Sequence, residues 1–293
     1  MMDVRSEEVP LTAEGWRIVA ICSIKPLADA LVGKLRDLGH EPVALLAPRR
    51  SGGRTLPPHL ELTDTSAPGG LDLLFAHDKH AIEPLLRASE PDLMLCWGFP
   101  WKIPQAALEV PRLGSVNMHP ALLPRHRGPI PLAWALRDGD NEWGATWHRM
   151  DAELDTGNLL AQGTVPIEDD DVDIEEFGPK LRAGALELLP RALERIAAGD
   201  PGDLQPSQGA SWAGHFEDDD YARVDWSQSA RTIHNQVRAW HLTFGMSGLR
   251  APIADLDGEQ VVVLQTRLTD PGGDASRVEC GDGPIWIVAT EPV

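Results

Sequence analysis

In the stretch SVNMHPALLPRHRG (residues 115–128) an amide, Asn117, stands two residues before an imidazole, His119, and a proline follows at once. The residues VPRLG read as a turn and SVNMH as a short strand. Side chains two apart on a strand project to one face, so Asn117 and His119 point the same way. Pro120 keeps that strand from continuing as a central one. The pair therefore sits at a strand end, where α/β sheets open their crevices. A carboxamide can donate hydrogen bonds to a developing negative charge, and an imidazole carries protons near neutral pH. A carboxylate joins them from MDAELDTGNLLAQ (150–162), where Asp155 occupies a tight LDTG turn between two strand-like runs. Taken singly, the three have plain structural readings: a turn Asn, a hydrogen-bonded core His, and a turn Asp bonding its own backbone.

The elements that must position them alternate strand and helix. WRIVAICSI (16–24) is a strand-like apolar run, and PLADALVGKLRDLG (26–39) places Leu27, Leu31, Leu35 and Leu38 at helical spacing. EPVALLAP is a second strand. An irregular stretch leads to a helix in HAIEPLLRASEP, a buried strand in DLMLCWGF (92–99) and a short helix in IPQAALEVP. After the strand bearing Asn117 come a helix in PLAWALRDGD (131–140) and strands in GATWHRMDAE (144–153) and NLLAQGTVPI (158–167). A long helix over 178–200 should be kinked at Pro190. This alternation predicts an α/β, Rossmann-like, mostly parallel sheet with helices on both faces. A Gly-, Pro- and Ser-rich linker at 199–209 divides a domain of residues 1–205 from one of 206–293. In the second, a helix in WSQSARTIHNQVRAW precedes short β-like runs with DG and GG turns, the pattern of a small β-barrel.

The two polar blocks, N-x-H-P-x-L-L-P-x-x-R-G and H-x-M-D-x-x-L-D-T-G-x-x-x-x-Q, together resemble the formyltransferase-fold family, from about Arg17 to Ile167 and more weakly at YARVDWSQSARTIHNQVRAW. The resemblance implies an enzyme that moves a formyl group from 10-formyltetrahydrofolate to an amine, with no metal. It assigns Asn117, His119 and Asp155 to catalysis. The residue types suit that chemistry: amide and imidazolium stabilise an oxyanion, a neutral-range proton carrier serves the attacking amine, and a carboxylate beside His119 favours its imidazolium. CWGFPWKIPQAAL resembles the family's pterin-lining segment, which makes Trp97, Trp101, Lys102 and Ile103 candidates for the folate, with Asp151 and Leu154 in the loop closing the other side. Arg125, Arg127 and His148 are the candidates on the acceptor side. The two guanidiniums suit a phosphate or carboxylate, or equally a surface ion pair.

Composition bears on the acceptor and the compartment. Hydrophobic residues make up 42% of the 293, enough for a core, and the formal net charge is −19. Residues 206–293 hold six arginines and no lysine against thirteen acidic residues, a net charge of −7. A polyanion needs clustered Lys and Arg to neutralise its phosphates. The arginine-rich loop PRRSGGR (48–54) is the one local concentration, and His126 stands where the tRNA-formylating members carry Trp. Nucleic acid is therefore a poor partner, and the expected acceptor is a small molecule, an amino sugar or an amino acid-derived amine. Methionyl-tRNA formyltransferase is the alternative; a hydrolase that consumes the donor without an amine and a non-catalytic folate binder are weaker ones. The second domain is expected to shape the acceptor pocket or mediate a homodimer. EDDDVDIEE (168–176) reads as a solvated helix entrance, because a calcium loop would need Gly and Glu where Ile174 and Lys180 stand. Cys22, Cys96 and Cys280 are far apart and odd in number, and no apolar run can span a bilayer, which points to a reducing, cytoplasmic setting.

Overall fold

The structure, a computed structural model, describes residues 15–49, 62, 70–172, 174–216, 219–242 and 250–293. Of the arginines in the 48–54 loop only Arg49 is described; Arg50 and Arg54 lie outside the described residues, as do most of the 47–70 loop and residues 217–218.

Apolar alternation builds the main sheet. In β1 (Arg17–Ile21), Ile18 and Ala20 join one core and Val19 and Ile21 another. The same split runs through β2 (Glu41–Pro48) and β4 (Leu93–Trp97), so these strands are buried on both faces, as parallel strands must be. With β3 (Asp72–Ala76), β5 (Ser115–His119), β6 (Glu142–Arg149) and β7 (Leu159–Pro166) they form a seven-stranded sheet in the order β3-β2-β1-β4-β5-β6-β7. The first five strands are parallel and the last two antiparallel. One face carries α1 (Lys25–Asp37), α4 (Pro131–Arg137) and α5 (Ile174–Ala197); the other carries α2 (Ile82–Ser89) and the single turn α3 (Gln105–Leu108). The sheet order reverses between β1 and β4, which opens a crevice at their carboxyl ends.

Two expectations change. The stretch read as irregular contains β3, whose run DLLFA is too short and too partly exposed to announce itself. The helix expected over 178–200, with a kink at Pro190, starts earlier and is one element from Ile174 to Ala197 with Pro179 and Pro190 both inside it. It packs against β7 and β6, with Phe177, Ala185, Leu189, Leu193 and Ile196 buried, and tertiary packing outweighs a missing backbone donor. Among the described residues no helix is long and apolar enough to cross a membrane.

The second unit is α6 (Ala230–Leu242) across a four-stranded antiparallel sheet, β8 (Ile253–Leu256), β9 (Glu259–Arg267), β10 (Ser276–Cys280) and β11 (Gly283–Pro292), in the order β10-β11-β9-β8. It is an open half-barrel, because β10 and β8 stay unpaired to each other.

The acidic run at 168–171 leads into α5 with Glu168, Asp169 and Asp170 exposed, as its composition suggests, and it also takes contacts from α6. Arg238, 2% exposed, donates to the Glu168 carbonyl at 2.6 Å, and Arg231 pairs with Asp169. Asp171 is buried and pairs with Lys180 at 2.6 Å. His234, fully buried, donates from Nε2 to the Asp169 carbonyl at 2.9 Å, which leaves Nδ1 to accept from Thr266 Oγ1 at 2.9 Å. This run is the seat on which α6 docks.

Burial, with Arg238 close by, pushes His234 down to about 4 from an ordinary 6.5. The unfolded chain thus binds a proton that the fold refuses. Stability is intact above pH 6.5 and falls by about 3 kcal/mol as pH drops through 4. We expect His234→Asn to flatten that part of the pH–stability curve in urea titrations; an unchanged slope would remove His234 as its source.

Candidate active site

Register fixes which side chains meet. On β5, Val116 and Met118 enter the core under α5, so Asn117 and His119 emerge on the opposite face. Asn117 is paired in register with Cys96 of β4 and His148 of β6. Among the described residues no helix covers that face beyond α3, and a cleft of about 390 Å³ opens there.

Asp155 enters from the turn after β6. It adopts φ +58°, a left-handed conformation that Asp tolerates better than most residues. The turn lies so close to β6 that a Cβ at Gly157 would stand 1.9 Å from the Arg149 carbonyl oxygen. One carboxylate oxygen of Asp155 accepts from the Gly128 N–H at 2.9 Å and lies 3.5 Å from His119 Nδ1. The other lies 3.4 Å from His148 Nε2 and 3.5 Å from Asn117 Nδ2. Burial pushes this carboxyl up, but the positive charge that the two neighbouring imidazoles gain on protonation, with the Gly128 N–H, outweighs it and holds the group well below the usual carboxylate range. Asp155 is a buried anion.

His119 moves the other way. Burial lowers it from 6.5, and Asp155 only partly offsets that. The adjacent carboxylate was expected to keep an imidazolium; desolvation wins, and the resting ring is neutral. Its Nε2 lies 2.8 Å from the His126 carbonyl, which fixes the proton there and leaves the Nδ1 lone pair turned toward Asp155. A proton arriving at Nδ1 would create a charge-assisted bond where none exists at 3.5 Å. His148 is set in the opposite sense. Its Nδ1 donates to the Arg149 carbonyl at 2.7 Å, and its Nε2 lies 3.3 Å from Asn117 Nδ2 and 3.4 Å from Asp155.

The carbonyl that orients His119 is itself braced. His126 has φ +57°; its N–H donates to Ser211 Oγ at 2.8 Å, and its ring Nε2 lies 3.3 Å from Asp140. Arg125 grips Asp140 through both carboxylate oxygens at 2.6 and 2.7 Å and donates to Asp138 at 3.0 Å.

The candidates divide accordingly. Trp101, Lys102, Ile103, Asp151 and Leu154 line the cleft. Phe99 and Trp101 meet edge to face at 5.5 Å, and with Ile103 and Met150 they make an apolar slot. Lys102 stands at the rim, 3.5 Å from Glu153. Asp151 also closes its own turn, accepting from Glu153 N–H and Thr156 Oγ1. Trp97 is not at the surface of the cleft: it points to the other face and packs on Trp147 at 6.1 Å. Arg125 and Arg127 do not line it either. Arg127 donates twice to Gln205 Oε1, at 3.0 and 2.6 Å. Sequence reading passed over Gly128, Pro129, Trp212 and His215, which complete the cleft's other wall. The one signal was the Gly-flanked SWAGH, a poor setting for a core Trp.

Comparison with known proteins places these features. A family profile described as formyl transferase matches residues 73–193, which include Asn117, His119 and Asp155. The methionyl-tRNA formyltransferase of Citrifermentans bemidjiense is 30% identical over 290 residues, covering 93% of this chain and 88% of that protein. Among solved structures, HypX from Aquifex aeolicus in complex with tetrahydrofolic acid superposes with a TM-score of 0.66 at 20% identity over 94% of this chain, which spans only 44% of HypX. WlaRD, a sugar 3N-formyl transferase in the presence of dTDP and 5-N-formyl-THF, superposes with a TM-score of 0.62 at 16% identity, covering 94% of this chain and 97% of that one.

The brace is directly testable. Ser211→Ala leaves the buried His126 N–H without its partner, a loss of about 1–3 kcal/mol. We expect a lower melting temperature and, in nitrogen-15 spectra of the histidine rings, loss of the pure Nε2–H form of His119. A ring signal identical to wild type would show that the carbonyl needs no such support.

Proposed function

The chain belongs to the formyltransferase family, and from that premise we propose that it transfers the formyl group of 10-formyltetrahydrofolate to the amine of a small molecule. The observation that carries this reading is the meeting of Asn117, His119 and the ionised Asp155 in a cleft that is apolar on one side. The slot of Phe99, Trp101, Ile103 and Met150 suits a flat bicyclic ring, and solved relatives of the same fold carry tetrahydrofolate or formyl-THF. The donor supplies an electrophilic formyl carbon. Asn117 lies where its amide can donate to the formyl oxygen as charge builds on it, because its bonds to His148 and Asp155 are long at 3.3 and 3.5 Å and easily exchanged. Neutral His119 accepts the proton of the attacking amine at Nδ1, and Asp155 then stabilises the imidazolium. The same imidazolium can return that proton to the departing folate nitrogen.

A small acceptor is favoured by charge. The half-barrel unit carries a net −7 and would repel a polyanion. The tRNA reading has one specific observation in its favour, the match to a methionyl-tRNA formyltransferase along 93% of the chain, half-barrel included.

The deciding experiment incubates purified protein with 10-formyltetrahydrofolate and either pooled amines or initiator tRNA, following folate absorbance. Turnover with amines is expected; turnover with tRNA alone, weakened by salt, would replace this acceptor with the nucleic acid. With the acceptor found, Asn117→Ala should lower kcat by about 10²–10³-fold; wild-type turnover would remove the amide from the chemistry. Because His119 works as the neutral base with a lowered pKa, kcat/KM should fall as pH drops below 6.5. Asp155→Asn should move that limb to still lower pH, and a limb that stays in place would detach Asp155 from His119.

A further inference from the structure

The wall of the cleft opposite the apolar slot has an uncovered aromatic ring. Trp212 is 56% exposed, although it stands beside the most buried charge of the site. Its position is not that of a loose side chain. A backbone ladder clamps its segment to the loop that binds Asp155: Arg127 N–H donates to the Ser211 carbonyl, Ala213 N–H to the Arg127 carbonyl, and Ile130 N–H to the Ala213 carbonyl. Trp134 Nε1 adds a bond to the Gly214 carbonyl at 2.8 Å. Two glycines make room for the indole. A Cβ on Gly128 would stand 3.2 Å from two of its ring atoms, and one on Gly214 would stand 2.9 Å from its Nε1. The ring is therefore packed on Gly128, whose own N–H holds Asp155, and much of the rest of its surface is open. Leu154, 40% exposed, borders the same cleft next to Asp155.

An aromatic surface left in water costs solvation free energy unless a ligand covers it. The charges around it restrict that ligand. Asp151, Glu153 and Asp155 line the cleft, and among the described lining residues the one formal cation is Lys102, engaged with Glu153. The nearest guanidiniums, Arg125 and Arg127, are held by Asp138, Asp140 and Gln205. Among the described residues no guanidinium there is free to fork onto a phosphate, whereas an ammonium group is attracted.

Resting on the formyl-transfer reading, we propose that Trp212 is the platform for the acceptor, and that the acceptor is a cationic, phosphate-free amine whose skeleton presents a flat apolar face. The indole fixes the skeleton while the amine reaches His119 and Asp155. Glycines at 128 and 214 are then specificity features, since a side chain at either would displace the ring.

The test measures binding and formylation of four probe amines by the protein saturated with 10-formyltetrahydrofolate: tyramine and glucosamine, which have flat apolar faces, ethanolamine, which has none, and glucosamine 6-phosphate. Ligand-observed NMR gives affinities whether or not transfer occurs. Tyramine or glucosamine should bind at least tenfold tighter than ethanolamine and than glucosamine 6-phosphate. Trp212→Ala should erase about tenfold of that preference, Trp212→Phe should retain most of it, and the KM for the donor should not move. Preference for the phosphate, no binding of either flat amine, equal affinities in wild type and Trp212→Ala, or a changed donor KM in place of a changed acceptor KM would each overturn the platform. Flat-amine binding that depends on Trp212 without any formylation would uphold the platform while refuting the formyl-transfer reading. Formylation indifferent to Trp212 would do the reverse.

Discussion

A carboxylate taken out of water must find its solvation inside the protein, and Asp155 gathers groups from three separate places in the chain. Gly128 offers a backbone N–H and Asn117 of β5 an amide, while His119 of β5 and His148 of β6 bring rings that can take up a proton within 3.5 Å. No one of these contacts would hold a buried anion, since an uncompensated charge costs several kcal/mol. Together they keep Asp155 ionised and draw the strand, the 120–128 loop and the turn at 151–157 to one point. The surrounding packing follows from that requirement: the turn presses its Gly157 against β6, and the left-handed backbones at His126 and Asp155 set the two loops at the angles the contacts demand.

The sheet contributes an asymmetry. One face is covered along its length by α1, α4 and α5, and there the strands can be continuously apolar. On the other face α2 and the short α3 cover only the half beneath β1, β2 and β4. Beyond them polar side chains from β5 and β6 can emerge without the cost of a fully closed core. The site is the unroofed part of a doubly covered sheet, at the reversal of strand order where such folds open. Its neutral His119 is a product of the same placement: deep enough for desolvation to beat the pull of a carboxylate, and tied at Nε2 by a carbonyl so that Nδ1 is the nitrogen left for a proton.

The half-barrel is joined by a different economy of charge. In a chain with a net charge of −19, the scarce arginines of α6 are placed against the acidic run at 168–171, partly on its carboxylates and partly on its carbonyls. The segment that leads there is stitched down on the way. Gln205 donates to the Asp155 and Gly157 carbonyls, and Ser211 supports His126. The stretch just after the linker, with Trp212 and His215, thereby becomes part of the cleft wall.

Local rules carried a good deal of this protein. The alternation of apolar strands and amphipathic helices determined an α/β sheet, the two-residue spacing put Asn117 and His119 on one face, and the LDTG turn marked Asp155, because pleat and helix periodicity are properties of neighbouring residues. What those rules could not carry was any quantity set by long-range packing. The strand at 72–76 has too weak an alternation to show, and α5 begins before the residues whose spacing marks it and continues through Pro190, held by the sheet beneath it. Trp97 and Trp101 have similar surroundings in sequence, yet Trp97 ends β4 facing the core while Trp101 lies in the loop beyond it and lines the cleft. Arg125 and Arg127 looked available for a ligand until the fold brought Asp140 and Gln205 to them. The neutrality of His119 and the exposure of Trp212 were likewise decided only in three dimensions, since desolvation and access to solvent depend on which distant segments come to lie alongside a residue.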